Sequence, residues 1–216
     1  DDYVTTNSFH GTHGRALAFS TGIKLANPSL KVFTLMGDGD GITIGGNHLI
    51  HAARRNVDLV AVMVNNLNYG MTGGQYSGTT PKHAFTKTSP YGHVEQNFDV
   101  CQVVKAAGGT FVARATVYDV VQLNQLIDKA VDHKGFSFVE VISPCPTHFG
   151  RSNKMPSAPA MMRWIKENTI PKAKADQMTR EELRGKFVTG IFEDTEQEDY
   201  STACQRVIDS LKEEKA

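Results

Sequence analysis

Asp38 stands between two glycines, Gly37 and Gly39, directly after a short apolar run, and 25 residues separate Gly39 from Asn65-Asn66, which close a second such run. A carboxylate in a glycine turn is ill suited to a bare phosphate. At ~4 Å the two charges repel by about 4 kcal/mol at an effective dielectric of about 20. A helix N-terminus returns only about 0.3–1 kcal/mol. The same carboxylate suits a phosphate that arrives with a divalent cation, because Mg2+ takes oxygen ligands. Two neighbouring strand ends can assemble such a set: Asp38 from one, Asn66 and the Asn68 carbonyl from the other. A dinucleotide-binding G-x-G-x-x-G does not fit, since its last glycine falls at position 42 or 44 and both are Ile. His48 and His51 lie three apart with no third ligand in view, and read as packing residues.

Such groups need rigid elements behind them. Lys31 to Met36 and Leu59 to Val64 are apolar and β-rich, and Thr110 to Arg114 and Phe136 to Ile142 repeat the pattern. Between them, Arg15 to Asn27, Asn47 to Arg55, Asp99 to Ala107 and Asp119 to His133 have helical period, with Asp119 a candidate N-cap. Further helices are expected near Met161 to Glu167 and Ser201 to Lys212. Strands alternating with helices, the strands nearly continuous in apolar residues, predict an α/β fold with a mainly parallel sheet flanked by helices. The division expected is residues 1–150 as the binding domain and 151–216 as a helical C-terminal extension. The polar, glycine-rich stretch from Asn65 to about Gly92 is longer than an ordinary loop. It is expected to be functional or covered by a partner.

The 216 residues contain 23 basic and 23 acidic side chains, so no global basic field exists to hold nucleic acid or an anionic membrane. No apolar run approaches the ~18 residues of a membrane span. Cys101, Cys145 and Cys204 are sparse, odd in number and without a CxxC pair, which speaks against a disulfide framework and for a reducing, cytoplasmic setting. Asp1-Asp2-Tyr3 resembles neither a signal peptide nor a natural start, so an N-terminal part is expected to be missing.

GDG, a spacer of this length and NN resemble the diphosphate–magnesium motif of thiamine-diphosphate enzymes. The wider wording, GDGDGITIGGNHLIHAARRN, VNNLNYGMTGGQYSGTTP and, upstream, HGTHGRALAFSTGIKLANP, is similar to the β subunit of 2-oxoacid:ferredoxin oxidoreductases, and CPTHFGRSNKMPSA to their 2-oxoglutarate branch. The resemblance runs from about His10 to Cys145. It implies a thiamine-diphosphate-binding fold in which Asp38, Asn66 and the Asn68 carbonyl hold Mg2+, while Gly37, Gly39 and Asp40 line the diphosphate pocket. Tyr69, Gly70, Met71 and Thr72 would close over the diphosphate, and His13, in the HGR triplet, would approach the cofactor. The implied reaction is oxidative decarboxylation of 2-oxoglutarate with coenzyme A to succinyl-CoA and CO2, with ferredoxin reduced, or the reverse.

The resemblance further implies an α subunit that supplies the catalytic glutamate, and a [4Fe–4S] cluster to which Cys145 contributes. The other cluster ligands would lie upstream of this sequence. Gly73 stands where many relatives carry Lys. Pyruvate or branched-chain 2-oxoacid enzymes, and nonoxidative thiamine-diphosphate decarboxylases, share the cofactor motifs and remain alternatives at this point.

Overall fold

A computed structural model describes residues 4–213; Asp1-Asp2-Tyr3 lie outside them. The first unit is helix α1 (Ala16–Ala26), stopped ahead of Pro28, followed by strand β1 (Phe33–Gly37). A π-helical turn, Gly39–Ile44, leads into α2 (Gly46–Arg54), and β2 spans Leu59–Asn65. After a long irregular stretch come α3 (Val100–Ala106), β3 (Phe111–Thr116), α4 (Val120–Asp132) and β4 (Phe136–Ile142). Asp99 and Asp119 cap α3 and α4, each accepting a backbone N–H three residues on. A second π-helical turn, Pro146–Gly150, precedes α5 (Ala158–Glu167).

The rest of the chain departs from an all-helical extension. It contains β5 (Thr169–Pro171), short α6 (Lys172–Ala175), β6 (Phe187–Asp194) and α7 (Tyr200–Glu213). The strands form one six-stranded sheet in the order β1-β2-β4-β3-β6-β5. All neighbours are parallel except β3 and β6. The C-terminal part therefore completes the sheet as well as adding helices.

Side chains alternate across β2. Leu59, Ala61 and Met63 face the layer of α1, α2 and α3, packing with Leu17, Leu49, Val100, Val104 and Phe138. Val60 and Val62 face the other way, toward Val139, Val141 and Leu126 of α4. That alternation explains why the run is apolar throughout: both faces are buried. The α4 layer does not reach β1, where Phe33 and Leu35 are 46% and 64% exposed on the side opposite α1. A third cluster, Leu67, Ala84, Phe149 and Met161 with Trp164 and Phe187 against it, joins the long irregular stretch to the C-terminal part.

Candidate functional site

β1 and β2 are parallel neighbours with Gly37 opposite Val64, so Asp38 and Asn65-Asn66 leave the sheet side by side at its carboxyl edge. This is where open α/β sheets bind ligands. Asp38 is 1% exposed. Its Oδ2 accepts from the hydroxyls of Ser77 and Thr79, the latter at 2.7 Å, and its Oδ1 accepts from the Asn66 N–H at 3.4 Å. Burial pushes the Asp38 carboxyl up, and these hydrogen bonds only partly pull it back. Its partners are hydroxyls and a backbone amide, and none of them is a cation.

The Asn66 amide points one terminal atom at two acceptors, Asp38 Oδ1 at 3.2 Å and the Asn68 carbonyl at 2.6 Å. With nitrogen turned inward these are hydrogen bonds. With oxygen inward, three oxygens form half the shell of a small divalent cation. Leu67, between the two asparagines, has φ +68, the left-handed conformation that L side chains disfavour. The Asn68 side chain is 2% exposed, and neither atom of its amide finds a partner. A buried amide with both ends unsatisfied marks a place built for a ligand. A Cβ on Gly70 would lie 3.3 Å from Asn66 Nδ2 and 3.6 Å from Asn68 Oδ1, so glycine keeps this space open.

The remaining candidates gather around the same edge. His13, 57% exposed, places Nδ1 2.8 Å from Asp40 Oδ1, and the Gly14 N–H donates to the same oxygen. The Asp40 carboxylate thus faces the HGR segment. The His13 ring meets Tyr69 edge-on, 5.8 Å between centroids, and Tyr69 Oη donates to the Gly39 carbonyl at 3.0 Å. Gly39 is sterically required, since a Cβ there would come within 2.3 Å of the Tyr69 ring. Met71 is fully exposed, and Thr72 bonds Gln75 at 2.7 Å. Cys145, half-buried after β4, sits beside the loop, its Sγ 3.8 Å from the position a Gly70 Cβ would take. Among the described residues no three His, Cys, Asp or Glu side chains gather as a metal site.

A shell of hydroxyls that neither the GDG nor the NN motif announced stands behind these groups. Ser77, Thr79 and Thr80 are buried and bond one another, Asp38 and the Leu67 carbonyl. Gly78 N–H bonds Thr43 of the π-helical turn at 2.8 Å. The hydroxyls of this shell and the third cluster shape the stretch expected to be functional or covered by a partner. Deeper still, Asn65, Glu140 and Arg114 form a buried polar chain that ends on the half-exposed Asp99. The signal was the SGTT run, whose hydroxyls outnumber what a simple turn uses.

A glycine-cradled acid and an asparagine loop at adjacent parallel strand ends define a class of diphosphate-binding α/β domain, and residues 1–141 match the family model "Thiamine pyrophosphate enzyme, C-terminal TPP binding domain". The chain is 49% identical to the 2-oxoglutarate synthase subunit KorB of Methanothermobacter marburgensis, over 98% of this chain and 73% of that protein. It is 47% identical to the subunit of the same name in Methanocaldococcus jannaschii, over 98% of this chain and 78% of that one. Among solved structures, the 2-oxoglutarate:ferredoxin oxidoreductase of Magnetococcus marinus, with 2-oxoglutarate, coenzyme A and succinyl-CoA bound, superposes with a TM-score of 0.78. That match has 31% identity and covers 92% of this chain and 68% of the other. The chain belongs to the β subunits of 2-oxoglutarate:ferredoxin oxidoreductases within the thiamine-diphosphate enzymes.

Proposed function

We infer that this chain, paired with an α subunit, oxidatively decarboxylates 2-oxoglutarate with coenzyme A to succinyl-CoA and CO2 while reducing ferredoxin. One observation carries the reading. A buried carboxylate, an amide and a carbonyl face one another at two strand ends, in a chain 49% identical to a 2-oxoglutarate synthase subunit. Bound thiamine diphosphate supplies the nucleophilic carbon and the electron sink for decarboxylating a 2-oxoacid.

The chain's own residues have four tasks. Asp38, Asn66 and the Asn68 carbonyl hold Mg2+, which the unsatisfied Asn68 amide and the oxygen-facing Asn66 amide favour. Gly37, Gly39 and Asp40, with Tyr69 to Thr72, enclose the diphosphate. His13, its Nδ1 beside Asp40, approaches the cofactor. Cys145 gives one thiolate to a [4Fe–4S] cluster whose other ligands lie outside this sequence, a role supported by its place beside Gly70. Cys101, buried in α3, and Cys204, exposed on α7, take no part. Residues 1–150 form the cofactor domain and 151–216 an extension packed on it. The bare strip of Phe33 and Leu35 is the kind of surface a subunit covers.

The test is the purified αβ complex. Thiamine diphosphate should be found by mass spectrometry, and dye or ferredoxin reduction should require both 2-oxoglutarate and coenzyme A. Cys145→Ser should lower iron content while Cys101→Ser leaves it unchanged. Absence of thiamine diphosphate, or faster turnover of pyruvate than of 2-oxoglutarate, would overturn the reading.

A further inference from the structure

We propose that Glu140 is a positioning residue for the Asn66–Asn68 loop, acting through Asn65; the inference rests on the magnesium–diphosphate reading of that loop. Glu140 lies inside β4, 2% exposed, in a strand buried along its whole length. Its Oε2 accepts from Arg114 Nε at 2.6 Å, the two residues being register neighbours on β4 and β3. Arg114 is held in turn by Asp99 at 2.6 Å and the Val188 carbonyl at 3.2 Å. An ion pair this deep is not needed for stability, since apolar residues of equal volume serve a core as well or better. The other carboxylate oxygen shows what it does.

Glu140 Oε1 accepts from Asn65 Nδ2 at 2.7 Å. A carboxylate can only accept, so it fixes which end of the Asn65 amide is nitrogen. Asn65 Oδ1 is thereby turned toward the loop, where two groups meet it. The Leu67 N–H donates to it at 3.0 Å, closing a side-chain turn around the residue held at φ +68. Thr79 Oγ1 lies 2.9 Å from the same oxygen and 2.7 Å from Asp38 Oδ2. That amide orientation supports the turn that presents Asn66 and Asn68, while the single Thr79 proton goes to one of its two acceptors. With the amide reversed, its NH2 would face the Leu67 N–H, and the turn would lose its support. The first asparagine of the pair is the relay, and Glu140 sets its direction.

This reading makes a polarity-swap test available. In Glu140→Gln the side-chain oxygen stays with Arg114, and an NH2 is driven against Asn65 Nδ2. In Glu140→Gln/Asn65→Asp that NH2 meets a carboxylate, whose second oxygen still accepts from the Leu67 N–H. Calorimetric titration of Mg2+ and thiamine diphosphate into the αβ complex should show the single variant about ten- to a hundredfold weaker, as expected for one unsatisfied buried donor. The double variant should return to within about threefold of wild type.

Wild-type affinity in Glu140→Gln, or a double variant as weak as the single one, would overturn the positioning role. A lowered thermal midpoint with unchanged cofactor affinity would do the same, because it would leave only a structural ion pair. If Glu140→Gln fails to assemble, the double variant alone decides: it must bind the cofactor. A wild-type complex that binds no thiamine diphosphate would instead remove the proposed function itself.

Discussion

Asp38 holds a negative charge out of water with only hydroxyls and one amide around it. Its pKa is raised, so at neutral pH ionisation works against folding until a cation arrives. Asp38→Asn keeps an oxygen for Thr79 and Ser77 but drops the charge. The unliganded variant should therefore melt at or above the wild-type temperature, yet lose Mg2+-dependent thiamine diphosphate binding by about a hundredfold or more. Differential scanning fluorimetry with and without Mg2+ and thiamine diphosphate measures both. Wild-type-like stabilisation of the variant by the cofactor would reject Asp38 as a ligand. A residue that makes the empty protein less stable and the loaded one possible is placed for binding.

At the scale of elements, Asp58 ties three segments together before β2. It accepts from Lys24 of α1 and from Lys134 after α4, both at 2.8 Å, and from the Gly135 N–H at 3.0 Å. Lys24 is itself buried and also donates to the Leu30 carbonyl at 2.8 Å. Burial pushes the Asp58 carboxyl up, but these donors outweigh it and hold it at about 2. A lowered pKa contributes stability at pH values above the unfolded one, and that contribution disappears as pH falls from about 4 to about 2. Urea unfolding should show Asp58→Asn less stable than wild type by about 1–2 kcal/mol at neutral pH, allowing for solvent screening. The gap should close at about pH 2. A gap that widens on acidification would contradict the assignment.

The elements that were legible in the sequence share a cause. β1 to β4 are short apolar runs ended by polar turns, and α4 carries its Asp119 cap plainly in the sequence. β6 was not legible, because only Thr189 and Phe192 are buried along its eight residues. Gly190 interrupts it at φ +127 and its acidic end looks like the charged helix beyond. The site shows the same division. Asp38 and Asn66 could be read because their chemistry lies next to them in sequence. Glu140 could not, because its meaning comes from Arg114 and Asn65, 26 and 75 positions away.

For the molecule as a whole, β6 carries more than its sparse burial implies. It covers the edge of β3, its Phe192 carbonyl accepts from Lys105 Nζ at 2.9 Å, and Glu193 pairs with the same ammonium at 3.0 Å. Removing residues 187–216 would expose β3 as an unpaired apolar edge, the kind that recruits other chains. The truncated chain should appear in the insoluble fraction or as large aggregates on size exclusion. A soluble truncated chain with native helix content would show the sheet to be complete without β6. The third cluster has a different consequence, in time rather than space. Leu67 of the asparagine loop and Ala84 belong to this cluster, but their partners extend to Phe187, 120 positions after Leu67. At about 5–20 residues per second, a ribosome takes roughly 6–24 s to cover that distance. During that interval the nascent chain displays its asparagine loop without the side chains that pack against the Leu67 cluster, so on the proposed function cofactor loading follows synthesis of the C-terminal part.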